Sequence, residues 1–225
     1  EQWRLETFEA GGDIYCASAS QMFGVPVEKH GINGHLRQKG KVAELALGYA
    51  GSVGALKNMG ALKMGMHEEE LEPIVKKWRK ASPNVVKLWH LIEDACVACV
   101  RDRQPHRINK YLSVLYEKGI LFVVLPSGRR MGYAKPKLSR DDYGRSKLSY
   151  EDAGAQGVYR VETYYGKLTE NVVQATARDC LAQAMLKLDA AGYEIVFHVH
   201  DEVIIEIDQR AEELESVCRI MGEPI

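Results

Sequence analysis

Tyr193-Glu-Ile-Val-Phe-His-Val-His-Asp-Glu-Val-Ile-Ile-Glu-Ile207 decides the class of this fold. Val, Ile, Phe and Tyr dominate both flanks, and such residues suit strands. His200, Asp201 and Glu202 fall between them, where one strand must turn back into the next. A tight hairpin over 193–207 presents Asp201 and Glu202 at its tip, where a hard divalent cation reaches their oxygens. An ordinary polar turn that carries acids explains the same residues, and the hairpin alone does not separate the two readings.

Upstream of the hairpin, Lys167 to about Ala190 has helical periodicity. Its expected apolar face is Val173, Ala177, Leu181, Ala184 and Leu188, and its polar face Lys167, Asn171, Gln174 and Arg178. That polar face suits either solvent or a duplex minor groove. Downstream, Gln209 to Met221 is expected as a final helix beneath the sheet. Gly119-Ile-Leu-Phe-Val-Val-Leu125, then Pro-Ser-Gly, then Arg129 to Ala134 predicts a second hairpin over 119–134. Lys135 to Gln156 has no steady period and is expected as a long mobile excursion, with a strand near Tyr159 to Tyr165. The first half is helical: Asp13 to Phe23, ended by Gly24 and Pro26; Gly34 to Ala50; Glu68 to Lys80; and Val85 to about Arg103. The expected class is α+β, with a mainly helical region over 1–110 and a small antiparallel sheet packed on helices over 111–225.

Within the helical half stands Arg37-Gln-Lys-Gly-Lys-Val-Ala-Glu-Leu-Ala-Leu-Gly-Tyr-Ala-Gly51. Arg37, Lys41, Leu45 and Tyr49 recur every four residues, so in a helix each is displaced only about 40° from the last. The stripe reads as two cations, an aliphatic platform and an aromatic ring. Cations near a helix start oppose the helix dipole, which favours anions there. A triphosphate held by Arg37 and Lys41 relieves the mismatch, with Leu45 and Tyr49 meeting sugar or base. A solvated basic edge with Leu45 and Tyr49 in the core is the alternative.

Composition is that of a folded domain: 225 residues, 46% hydrophobic, 27% charged, net charge −1. A near-neutral balance supplies no global field for nucleic acid. Basic residues instead cluster at Arg129, Arg130, Lys135, Lys137, Arg140, Arg145 and Lys147, opposed by Asp141 and Asp142. Such a cluster suits phosphates or a solvated loop. Cys96-Val-Ala-Cys99 lacks a second pair for a zinc set and is expected as buried helical packing in a reducing compartment. No apolar run approaches the ~20 residues a membrane span needs, and a cytoplasmic protein is expected.

The two motifs, in this order, resemble those of the bacterial DNA polymerase I family (family A), phage and prophage members most closely. The family's finger helix carries Arg, Lys, an apolar or aromatic residue and Tyr at intervals of four, matched by Arg37, Lys41, Leu45 and Tyr49. Its last palm motif is His-Asp-Glu in a hairpin, matched by His200, Asp201 and Glu202. Between them, Glu170 to Asp179 resembles the palm helix whose glutamine faces primer–template, here Gln174. Asp13-Ile-Tyr and Met22-Phe-Gly-Val-Pro26 resemble the segment before the finger helix. Leu45 stands where many members carry Phe or Tyr, and Tyr15 where the family often has His.

The resemblance implies a DNA-directed DNA polymerase, with fingers mostly over 1–110 and the rest of fingers and palm over 111–225. It implies a two-metal Mg²⁺ site held by Asp201 and, more weakly, Glu202, and completed by an Asp absent from this chain. Arg37, Lys41, Leu45, Tyr49 and Tyr15 would bind nucleotide, with Lys41 also catalytic. Gln174, Arg178 and His200 would bind DNA. Expected partners are primer–template DNA and dNTPs, in a full-length enzyme that is monomeric and membrane-free. The family's first palm strand is not matched, so this chain alone is expected to be inactive. Two alternatives stand beside this reading. One is a single-subunit RNA polymerase, which shares the finger-helix spacing. The other is a metal hydrolase or oxygenase using His198, His200, Asp201 and Glu202.

Overall fold

The computed structural model describes residues 1–155, 157–207 and 211–224. Gln156 and Gln209, where the expected excursion ends and the last helix was expected to begin, lie outside them. The fold is α+β, and the chain divides into two compact units. Glu1–Val97, Leu138–Ser149 and Val161–Thr169 form the first; Ala98–Lys137, Tyr150–Arg160 and Glu170–Ile225 form the second.

The first unit begins with helices α1 (Gln2–Glu9), α2 (Ile14–Phe23), α3 (Leu36–Leu47), α4 (Val53–Asn58) and α5 (Glu68–Ala81). It also takes in most of α6 (Pro83–Asp102). Their boundaries follow the local chemistry. Asp13 caps α2 by accepting hydrogen bonds from the Tyr15 and Cys16 amides, and Gly24 ends that helix at φ 68°, where a side chain would be strained. Pro83 opens α6 at the position where a missing N–H costs nothing. The core gathers Val42, Ala43, Ala46 and Leu47 of α3 with Leu71, Ile74, Val75 and Trp78 of α5 and Trp89 of α6. The Trp78 and Trp89 rings stack with centroids 6.0 Å apart. Each indole finds an acceptor on or beside α3: Trp78 donates to Glu44 Oε1 (2.9 Å) and Trp89 to the Gly48 carbonyl (3.0 Å).

The strands β1 (His106–Arg107), β2 (Ser113–Glu117), β3 (Ile120–Val124), β4 (Arg130–Arg140), β5 (Ser146–Gly154) and β6 (Gly157–Thr163) make a sheet in that order. Antiparallel pairing joins β1 to β4 in sequence, and the expected 119–134 hairpin is β3–β4, turning through Gly128 at φ 82°. The sheet corrects one expectation outright. Lys135 to Gly154 is not an excursion but the end of β4, a short turn and β5. The long helix α7 (Tyr165–Ala190), the hairpin β7 (Glu194–Val199) with β8 (Glu202–Glu206), and α8 (Ala211–Met221) complete the chain.

A second correction concerns α7. Its buried face is Leu168, Val172, Leu181, Ala184 and Leu188, whereas Val173 is 42% exposed and Ala177 is exposed as well. Leu168 and Val172, four apart, set the inward direction one residue earlier than expected. Gln174 and Arg178 remain on the outward side.

Candidate functional site

In the first unit the site grows from α3. Gly40, Val42, Ala43, Ala46 and Leu47 are buried, which turns Arg37, Lys41 and Leu45 outward along one stripe. Leu45 is 49% exposed, so it is not a core residue. Tyr49 lies beyond the last turn, since α3 ends at Leu47 rather than at the expected Ala50. Gly48 keeps helical dihedrals (φ −56°, ψ −30°), so the chain enters Tyr49 along the same spiral.

Helix α2 completes this surface. Arg37 Nε donates to Asp13 Oδ2 at 2.7 Å, and its guanidinium carbon lies 5.3 Å from the Tyr15 ring centroid. Lys41 Nζ lies 5.9 Å from the same ring and makes no ion pair among the described residues. Burial alone would raise the Asp13 carboxyl. Hydrogen bonds from Arg37, Cys16 and Tyr15, with the Arg37 charge, outweigh it and hold the group below its ordinary 3.8. The first turn of α3 contains no acid, so the carboxylate that answers Arg37 comes from the neighbouring helix. Sequence reasoning assigned Asp13 only to the segment before the finger helix; its place just ahead of Ile14 and the α2 periodicity was the available signal.

The second unit holds the hairpin. Val199 pairs with Glu202, leaving His200 and Asp201 as a two-residue turn, with His200 at φ 50°. Positive φ suits short hairpin turns, and histidine tolerates it better than most residues. A register shift at Val196 lets Ile195 pair with Ile205 and Phe197 with Ile204. His200, Asp201 and Glu202 are all exposed. Among the described residues no three His, Cys, Asp or Glu side chains are grouped to hold a metal, so the hydrolase set of His198, His200, Asp201 and Glu202 does not assemble. On α7, Gln174 donates to Glu170 Oε1 (3.3 Å) and Arg178 follows one turn later, both exposed.

The chain is 55% identical to the DNA polymerase of Bacillus phage SP02 over 227 residues, covering 100% of itself and 35% of that protein. By sequence the chain is similar to DNA polymerases of the polymerase I family. Its similarity extends to DNA polymerase I of Rhizobium leguminosarum, 24% identical over 91% of this chain and 17% of the relative. Thermostable DNA polymerase I of Thermus aquaticus is 25% identical over 97% of this chain and 21% of that enzyme. The chain thus spans about a third or less of the length of the curated relatives it matches. No family model matches it. In fold it is similar to the POL domain of Pol1 from M. smegmatis, solved with DNA primer-template and dNTP. The TM-score is 0.57 at 21% identity, over 96% of this chain and 32% of the other.

Three further features of the chain bear on function. The basic stretch is largely engaged internally: Arg129 pairs with Asp179 (2.5 Å), Arg130 with Glu117 (3.0 Å) and Lys135 with Glu151 (2.6 Å). Arg145 pairs with Asp141 (2.8 Å) and Lys147 with Glu162 (2.8 Å). Such pairs leave less net charge for phosphates than the sequence suggested. Cys96 and Cys99 are buried in α6, as expected of packing. Among the described residues no helix is long and apolar enough to cross a membrane.

Proposed function

We propose that this chain supplies the nucleotide-binding helix and a metal-ligating hairpin of a template-directed DNA polymerase, acting on primer–template DNA and dNTPs. The observation that carries the reading is the α3 stripe. Arg37 and Lys41 stand in line with a leucine that is 49% exposed, while Val42, Ala43, Ala46 and Leu47 of the same helix are buried. An exposed aliphatic residue beside two cations suits a ligand with an anionic end and a flat or sugar-like end. The 55% identity to a phage DNA polymerase supports the same assignment.

In this reading Arg37 and Lys41 bind the triphosphate and offset the charge that develops as pyrophosphate departs, with Lys41 donating a proton to it. Tyr15 adds a phenol donor to the phosphate. Leu45 abuts the sugar, and Tyr49 stacks near the templating base. Gln174 and Arg178 contact the duplex from the outward side of α7, and His200 positions the primer backbone. Asp201 and Glu202 are hard oxygen donors on adjacent residues of an exposed turn. They fit Mg²⁺, which takes one or two carboxylates and completes its shell with substrate phosphates and water. Bound there, the metal would lower the cost of charge on the attacking and leaving oxygens. A further carboxylate would complete the ligand set. We place the enzyme in the cytoplasm, acting as a monomer.

Lys41→Ala in the full-length polymerase tests the reading. Losing one electrostatic contact to the developing charge costs on the order of 10²–10³ in rate. Single-turnover primer extension should show that loss, and a change below threefold would remove Lys41 from the site.

A further inference from the structure

We infer that Asp13 is a positioning residue for nucleotide binding: it sets the guanidinium of Arg37 through Nε and keeps its terminal nitrogens for the triphosphate. The inference rests on the assignment of Arg37 made above. A carboxylate beside a phosphate ligand looks counterproductive, because it partly neutralises the cation and repels the anion. Its geometry explains its presence.

The pair is made through Nε alone, at 2.7 Å, rather than as a two-pronged clasp. Guanidinium has five N–H donors in a rigid plane, so four remain outside this bond, and their direction is fixed by it. A free arginine would have to give up considerable rotamer freedom on binding an anion. Asp13 cannot drift to follow Arg37, because its other oxygen accepts from the Tyr15 amide at 2.9 Å and the Cys16 amide at 3.1 Å. The carboxylate is therefore held to the first turn of α2, and α2 is locked to α3 where Gly40 meets the Tyr15 carbonyl and Ala19. The Tyr15 ring, between Arg37 and Lys41, belongs to the same fixed turn. One acid thus holds Arg37 directly and caps the turn that carries Tyr15.

Asp13→Asn and Asp13→Ser separate this role from helix capping, since Asn and Ser cap about as well as Asp. Both lack the charge that holds Arg37. In the full-length polymerase each should raise the KM for dNTP about tenfold, within the range of coupling between contacting residues, and change kcat less than threefold. Circular dichroism and thermal melting should match the unaltered enzyme. The double variant D13N/R37A should show no more than a twofold further rise over R37A alone, because Asp13 acts through Arg37.

Three results would overturn the inference: an unchanged or lowered KM in D13N or D13S, a loss confined to kcat, or a D13N effect that persists in full on the R37A background. R37A by itself tests the underlying assignment. If R37A raises the KM and D13N does not, only the role of Asp13 fails. If R37A leaves the KM unmoved, the nucleotide assignment fails with it.

Discussion

Replacing Gly40 by alanine sets two effects against each other. Alanine is about 1 kcal/mol better than glycine inside a helix, and Gly40 lies inside α3. Against that, a Cβ at Gly40 would fall far inside contact distance of the Tyr15 carbonyl oxygen. It would also lie 3.0 Å from Ala19 Cβ and 3.1 Å from the Ala19 amide nitrogen. Two of those atoms are backbone and cannot rotate aside, so α2 itself must move. Overpacking of this kind costs about 1–3 kcal/mol, which leaves a net loss of about 0–2 kcal/mol after the helix gain. For a unit of this size that lowers the unfolding midpoint by up to about 8 °C. The functional loss should be larger than the thermal one. Restoring contact distance parts the helices by about 1 Å and carries Asp13 and Tyr15 away from Arg37 and Lys41, and a 1 Å misplacement can cost 10²-fold. We expect dNTP incorporation efficiency to fall by roughly 10–100-fold in primer-extension kinetics. Gly54→Ala is the matched control. Its Cβ meets nothing within 4 Å in α4, so it should gain about 0.5–1 kcal/mol and leave incorporation unchanged. If Gly40→Ala melts like Gly54→Ala and incorporates dNTP within threefold of the unaltered enzyme, the close packing of α2 on α3 is not as argued.

The hairpin and a half-buried acid supply the remaining tests. Asp201→Ala should reduce primer extension by at least roughly 10²–10³-fold while Glu202→Ala retains more activity, and both should melt normally because both residues are exposed. Robust synthesis by the Asp201→Ala enzyme would misplace the metal site. Glu93 accepts a hydrogen bond from the Tyr165 amide at 3.1 Å, and burial pushes its carboxyl above the ordinary 4.5, with Asp94 adding to the shift. Ionised Glu93 therefore destabilises the fold: the penalty is absent below the ordinary value and complete above the raised one. Glu93→Gln keeps an acceptor without the charge, so it should raise the melting midpoint at pH 8 and lose that advantage by pH 4. An equal gain at both pH values would mean that burial of the charge is not the cause.

Much of the fold was legible because its elements announce their ends chemically. Asp13, Gly24, Pro83 and Gly128 each stand where a cap, a stop, a first turn or a hairpin requires that residue. The failure between Lys135 and Gln156 has a physical cause. Lys135 takes φ 43°, which breaks the alternation of β4, so that Tyr133 and Pro136 are both buried although three apart. A proline within a run and a slipped phase are the two signals that argue against a strand. The Val173 error on α7 is a matter of phase too. Val172 and Val173 are equally apolar, and only packing decides which of them faces inward. Strand β2 went unassigned although it is as long as β3; its turn to β3 takes positive φ at Lys118 and Gly119.

The candidate site was legible for a different reason, and only in part. Residues that carry charge or an exposed ring repeat at a helical period, and that repeat survives without any structure. Residues that place them carry no such mark. Gly40 and Ala19 contribute only the absence of atoms, yet that absence brings the first turn of α2 against α3. Asp13 looks like a routine cap until the structure shows its second oxygen on Arg37. Charge pairing has the opposite effect in the basic stretch from Arg129 to Lys147, where partners distant in sequence cancel what looked like a phosphate surface. A cation is available to a ligand only when its partner is weak, monodentate or missing. By that measure the described residues favour Lys41, which has no ion pair among them, over the paired cations of that basic stretch.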